Sequence, residues 1–218
     1  MTIGIPGWLV GPNSFGVTIP YIEFANERLL CDDLRILSPN SPIFEDLDLI
    51  ILTGGPDINP SRYGESPGFY TDKPDIMKEY FDVHVLPRYI EQGIPIFGIC
   101  RGAQSMAVHW GGTLCQNMWH ETNSQDNPYE SKHAIKILSE LGGKPKIKVN
   151  SRHHQSIMPP KGESPIKVLA THSAFSSHIE AIRIQGYPAC GVQWHPEDLN
   201  DNSGVEYALN LIHTIIKK

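Results

Sequence analysis

The sequence predicts an α/β fold, a three-layer α/β/α sandwich with a mostly parallel central sheet, and three observations lead there. Short apolar runs alternate with segments of helical periodicity along most of the chain, as expected of a sheet covered by helices on both faces. Two of those runs, Leu47 to Leu52 and Ile94 to Ile99, are apolar almost throughout, which strands buried on both sides require. Each ends in a glycine-bearing turn, Thr53-Gly54-Gly55-Pro56 in one case and Cys100-Arg101-Gly102 in the other. Ligands of open α/β sheets sit outside the carboxyl ends of the strands, so both turns point to one crevice.

Taken in order, Thr2 to Ile5 reads as a first strand. The prolines and glycines between Pro6 and Gly16 then predict a loop with no regular element. A helix from Pro20 to Leu30 follows, with Tyr21, Phe24, Ala25 and Leu29 at helical spacing, and then a strand from Leu34 to Leu37. Asp57 to Lys73 predicts an ordered surface loop whose aromatic residues can touch a ligand. Asp75 suits the N-cap of a helix running to Gly93, kinked at Pro87. After the strand ending at Ile99, Arg101 to Ala107 continues as helix. Strands are expected at Lys146 to Val149, Ile166 to Leu169, Ile179 to Ile184 and Ala189 to Gln193. Ser203 to Glu206 has the capping-box pattern ahead of a last helix carrying Ala208, Leu209, Ile212 and Ile215.

The 218 residues, 40% of them hydrophobic, are enough for one substantial core, so a single domain over 1–218 is expected. A net charge of -6 without any long Lys/Arg run argues against nucleic-acid binding and for a small-molecule substrate. Four cysteines at 31, 100, 115 and 190 form no C-x-x-C pair, which argues against a disulfide framework or a structural zinc site and suits a reducing cytoplasm. No leader-like segment and no run of about 18 apolar residues is present, so a soluble, non-membrane protein is expected.

Gly98-Ile99-Cys100-Arg101-Gly102 has the form of a nucleophile elbow with cysteine at its centre. The flanking glycines let strand and helix approach closely around a strained residue, and a helix N-terminus favours the reactive thiolate. Taken alone, the motif is more readily a buried structural cysteine, the commonest fate of a free thiol. Gly191-Val192-Gln193-Trp194-His195-Pro196-Glu197 supplies what such a nucleophile needs: a histidine at a strand end and a carboxylate two residues later to orient it. His195 alone is as readily an ordinary hydrogen-bonded histidine, and Gly54-Gly55-Pro56 an ordinary turn. In combination they point to acyl transfer, with Cys100 as nucleophile, His195 as base, Glu197 as orienter, and the backbone N–H groups at the glycine turn and at Arg101 directed at an oxyanion.

These stretches resemble the class I glutamine amidotransferase-like cysteine hydrolases, especially the γ-glutamyl-γ-aminobutyrate hydrolase branch of the γ-glutamyl peptidases. The resemblance rests on Leu52-Thr53-Gly54-Gly55, on Pro95 to Gln104, on Gly111 to Gln116, on Val149-Asn150-Ser151-Arg152-His153-His154-Gln155 and on Gly191 to Glu197. It implies a flavodoxin-like three-layer fold, a γ-glutamyl thioester on Cys100, and an oxyanion hole of the Gly55 and Arg101 amides. It also implies glutamyl contacts from Gly54, Gln104, His154, Gln155 and Ser156. No metal or organic cofactor is implied. His153-His154 could in principle bind zinc, but the other motifs already account for the site. Asp72 to Glu79 departs from the branch in lacking an Arg-Asp pair.

The leading expectation is a stand-alone hydrolase releasing glutamate from a γ-glutamyl amine or amide. The alternatives are a glutaminase that passes ammonia to a separate synthetase partner, and a catalytically idle binding protein. Oligomeric state stays open, a homodimer included. Selectivity for the amine is expected from the loops at Pro6 to Phe15, Asp57 to Lys73 and Asn117 to Lys132, with Trp119 and Tyr129 as candidate contacts for which packing within the loop is the stronger reading.

Overall fold

The computed structural model describes residues 1–11, 13–122, 132–138, 145–198 and 202–216; Tyr129 lies outside them. The first strand, β1 (Thr2–Pro6), leads into a hairpin of β2 (Trp8–Gly11) and β3 (Ser14–Gly16), where the sequence predicts an irregular loop. The glycines there make the hairpin tight instead of preventing it, and Phe15 packs over Gly7, leaving no room for a side chain. Helix α1 (Ile19–Glu23) passes into a widened π-type turn over Phe24–Arg28, so the expected helix is present but not uniform. Strands β4 (Asp33–Leu37) and β5 (Leu49–Leu52) follow.

Asp75 caps α2 (Ile76–Tyr80), its carboxylate accepting from the N–H groups of Met77 and Lys78 at 2.9 Å each. A second π-type turn, Phe81–Val85, joins α2 to α3 (Leu86–Glu91). The wide turn accommodates Pro87, which has no N–H to give and crowds the preceding turn. Gly93, at φ 73°, ends the helical stretch. Strand β6 (Ile96–Ile99) then feeds α4 (Arg101–His109) through Cys100 alone.

The remaining elements are β7 (Thr113–Cys115), α5 (Met118–Thr122), β8 (Lys132–Ile137), β9 (Lys146–Asn150), β10 (Ser156–Met158), β11 (Ile166–His172), β12 (Ile179–Ile184), β13 (Ala189–Val192) and α6 (Asn202–Ile216). Helix α6 begins one residue ahead of Ser203, so Ser203 stands inside the helix that it is expected to cap.

The sheet runs β4-β1-β5-β6-β13-β12-β11-β8-β9, with β10 and β7 attached beside β12. Its first five strands are parallel, and every pairing from β13 onward to β9 is antiparallel. The sheet is therefore mixed, where the sequence predicts a mostly parallel one. Strands β11, β12 and β13 are joined by short connections that permit antiparallel neighbours, without the helical crossover that a parallel pair needs.

Two apolar clusters cover the two faces. One joins Ile3, Ile5, Leu49, Ile51, Phe97 and Ile99 to α1 and α6. The other joins Ile50, Leu52 and Ile96 to α3 and α4. The alternation along β5 and β6 follows from the two-residue period of a strand. Helix α4 lies unusually close to the sheet: a Cβ on Gly102 would stand 2.1 Å from the Leu52 carbonyl oxygen, and one on Gly98 2.6 Å from Ala103 N. That closeness places the first turn of α4 directly over the ends of β5 and β6. No helix among the described residues is long and apolar enough to cross a membrane.

Candidate active site

Strand pairing brings Cys100 and His195 to the same edge. Ile99 on β6 pairs with Val192 on β13, and Cys100 N–H continues the ladder by donating to Val192 O at 2.8 Å. Cys100 has φ 52° and ψ -111°, a strained conformation for a residue with a Cβ, as an elbow demands. Three residues beyond Val192, His195 is held by its backbone: its N–H donates to Asn150 Oδ1 at 2.8 Å, and its carbonyl accepts from Asn150 Nδ2 at 2.9 Å. Asn150, at the end of β9, is thus a clamp on His195.

His195 Nδ1 lies 2.6 Å from Glu197 Oε1. Burial on its own would lower the imidazole's pKa, but the charge of Cys100, a hydrogen bond to it, and Glu197 raise it to about 10. At neutral pH His195 is therefore an imidazolium placed between cysteine and carboxylate. Tyr21 packs against this group. Its hydroxyl accepts from Gly54 N–H at 2.9 Å, and burial together with the nearby Glu197 pushes its pKa well above the ordinary value. Gly54 fills the space between them: a Cβ there would lie 2.8 Å from Tyr21 Oη and 2.9 Å from His195 Cε1.

Gly55, at φ 155°, follows, and among the described residues neither its N–H nor that of Arg101 donates a hydrogen bond. Behind the turn lies Lys78, buried, its Nζ 2.7 Å from Thr53 Oγ1 and 4.0 Å from the centroid of the Trp8 ring. Burial first, and the neighbouring Arg101 second, lower the pKa of Lys78 to about 7. The Arg101 side chain turns away from the crevice and bonds Glu79 at 2.7 Å and Asp82 at 2.8 Å, with Arg62 on Asp82 at 3.0 Å. This buried network fixes the first turn of α4.

A cavity of about 80 Å³ beside Cys100 is lined by Gly55, Asp57, Asp72, Gln104, Arg152, His154 and Gln155 among others. It brings together most of the residues expected to hold a glutamyl group. Gln155 is buried, and neither its amide nitrogen nor its oxygen has a partner among the described residues. Gln104 is less free, its amide donating to Gln155 O at 3.2 Å and Gln193 Oε1 at 3.3 Å. His154 Nε2 lies 2.9 Å from Asp57 and 3.8 Å from Asp72; burial opposes its protonation, but Asp57 outweighs burial and raises its pKa. Ser156 is not brought to the cavity: fully buried, its hydroxyl meets His178 Nδ1 at 2.5 Å. Trp119 packs with Cys115 and Met118 and donates to His153 O at 3.2 Å, while one part of it faces a second cavity.

Asp57, Asp72, Tyr21, Asn150 and Lys78 join the site although no motif in the sequence marks them as site residues. Asp57 directly follows the glycine turn, and that adjacency is the one local signal among them; the others arrive from separate segments. His133, His153 and Glu180 also cluster, with His133 Nε2 2.9 Å from Glu180 Oε1 in a buried ion pair joining β8 to β12.

Fold and site together define a class I glutamine amidotransferase-like protein. The Peptidase C26 family matches residues 38–197, which is most of the sequence. The chain belongs to the Peptidase C26 family. It is 34% identical over 161 residues to the glutamine amidotransferase-like protein YvdE of Lactococcus lactis, covering 69% of this chain and 66% of that one. It is 33% identical over 186 residues to the γ-glutamyl-γ-aminobutyrate hydrolase PuuD of Escherichia coli, covering 76% of this chain and 68% of that one. The fold is shared with a glutamine amidotransferase from Thermotoga maritima, at a TM-score of 0.65 and 11% identity over 100% of this chain and 98% of the other.

Proposed function

We propose that the protein is a cysteine hydrolase that cleaves the γ-glutamyl amide bond of a small conjugate, releasing glutamate and an amine. The observation that carries this is the buried His195 imidazole, hydrogen-bonded to Glu197 at 2.6 Å and drawn toward its charged form by Cys100, which itself lines a small polar cavity. Membership of the Peptidase C26 family and similarity to a γ-glutamyl-γ-aminobutyrate hydrolase support it.

In the first step Cys100 Sγ, its thiol proton already held by His195, bonds to the γ-carbonyl carbon, and the oxyanion is received by the Gly55 and Arg101 amides. His195 gives its proton to the amide nitrogen, the C–N bond breaks, and the amine departs. Because His195 is protonated beforehand, it acts first as acid; only then does it serve as base for the water that hydrolyses the thioester. Glu197 orients the ring throughout and favours its charge. The unpartnered amide of Gln155 and the His154 imidazole, which Asp57 biases toward its charged form, bind the polar end of the glutamyl group.

The test is Cys100→Ala assayed on a panel of γ-glutamyl amides, with mass spectrometry of the wild type under rapid quench. Loss of glutamate release in a folded variant, and a γ-glutamyl adduct on Cys100, are expected; undiminished turnover refutes the reading. The similarity to YvdE favours a second reading, a glutaminase serving a separate synthetase. Glutamine hydrolysis that appears only with such a partner present would establish it.

A further inference from the structure

Beside the small cavity lies a larger one of about 410 Å³, lined by Phe69, Tyr70, Thr71, Asp72, Asn117, Trp119 and His154. The two share Asp72 and His154, so a substrate whose glutamyl end fills the first extends its other end into the second. The larger chamber has a distinctive chemistry. It has no Lys or Arg among its lining residues, and its histidine, His154, is engaged by Asp57 at 2.9 Å. Two carboxylates, Asp57 and Asp72, thus face one imidazole, and at least one negative charge is left in excess there whichever form the ring takes. Asp57 is further committed, accepting from Asp72 N–H at 2.8 Å, whereas the Asp72 carboxylate is 66% exposed.

Aromatic faces complete the chamber. Phe69 is 95% exposed and Tyr70 48%, an unusual position for large apolar rings, and they meet edge to face at 5.1 Å. Tyr70 in turn approaches His120 on α5 at 5.3 Å. Lys73, the next residue after Asp72, is exposed and does not line the chamber. A carboxylate entering here meets Asp72 and no lysine or arginine among the described lining residues; an ammonium meets Asp72 and the π faces of the rings.

We propose that this chamber receives the departing amine and selects one whose far end carries a positive charge, a diamine or a longer polyamine, over an ω-amino acid. The inference rests on the γ-glutamyl hydrolase reading above. It separates this chain from its PuuD relative, whose named substrate carries a carboxylate on the leaving amine.

Three synthetic substrates of equal length test it: γ-glutamyl amides of a diamine, of an n-alkylamine and of an ω-amino acid. For wild type, kcat/KM is expected to be at least tenfold higher for the diamine conjugate than for the ω-amino acid conjugate, with the alkyl compound between them and the gap narrowing with added salt. Asp72→Asn keeps the backbone N–H that Asp57 accepts, and it should shrink that ratio at least threefold; a general loss of activity cancels in the ratio. Equal or inverted preference in the wild type overturns the proposal. So does an equal loss for all three substrates in Asp72→Asn, which would assign Asp72 to the glutamyl end alone. If the folded wild type turns over none of the three, the parent reading falls and this one with it, a result distinct from turnover without charge preference.

Discussion

At the His195 ring, burial favours the neutral form, while Cys100 and Glu197 favour the charged one and prevail, raising its pKa to about 10. A histidine so raised is protonated below that value, so its contribution to stability is complete below about pH 6.5, its ordinary value, and is lost as pH rises through about 10. The rate should follow the same group: kcat/KM holds across neutrality and declines on the alkaline side as the proton for the leaving amine is lost. Glu197→Gln removes a charge that raises the pKa, so the alkaline limb should move to lower pH and kcat should fall about 10²-fold or more, as a pH–rate profile would reveal. Gly54→Ala tests the crowding beside the ring. Its new methyl group would displace His195 or Tyr21, and kcat should drop about 10–100-fold while circular dichroism stays that of the folded protein.

For the elements, the first turn of α4 depends on what Gly102 lacks. Alanine there would place Cβ 2.1 Å from a backbone oxygen of β5, which cannot swing aside as a side chain could. Gly102→Ala should therefore cost about 3 kcal/mol, read by urea unfolding. In the antiparallel half of the sheet, Glu180 on β12 reaches across β11 to His133 on β8. Burial would raise the Glu180 pKa, but His133 overrides it and lowers it. A lowered carboxylate stabilises above its unfolded value, and that stability is lost as pH falls through the native one, so unfolding below about pH 4 should begin with β8 and β9. Glu180→Ala leaves His133 facing an empty place and should cost about 3 kcal/mol at pH 6. Elements with a strong local signal are legible in the sequence: β5 and β6 as unbroken apolar runs, α2 through its Asp75 cap, the elbow through its glycines. The hairpin of β2 and β3 and the three-residue β7 and β10 are not, because each is too short to establish a period. Strand β8, with Lys132, His133 and Lys136, looks like surface until β11 and β9 flank it.

Across the whole molecule, two cores separated by the sheet bear the stability. Leu86 on α3 and Leu211 on α6 are both fully buried, one in each core. Either residue changed to alanine should cost about 2–5 kcal/mol, and the double variant should show the sum, because the sheet stands between them. The same geometry explains what the sequence reveals of the site. Cys100, His195 and Glu197 each sit in a compact motif at a strand end, so their chemistry is visible locally, and the strand order then makes them neighbours. Tyr21, Asn150, Lys78 and Asp72 act only through where α1, β9, α2 and the 57–73 loop come to rest. Nothing within a few residues of any of them marks that destination.

The backbone at position 100 has a consequence for descent. Its dihedral angles, φ 52° and ψ -111°, suit glycine better than any residue with a side chain. Cys100→Gly should accordingly be more stable than Cys100→Ala by about 1–2 kcal/mol, though both lack the thiol, as parallel thermal melts would show. The fold thus leans against the side chain proposed as its nucleophile. If that proposal holds, a gene copy released from the need for chemistry would gain robustness by discarding the cysteine.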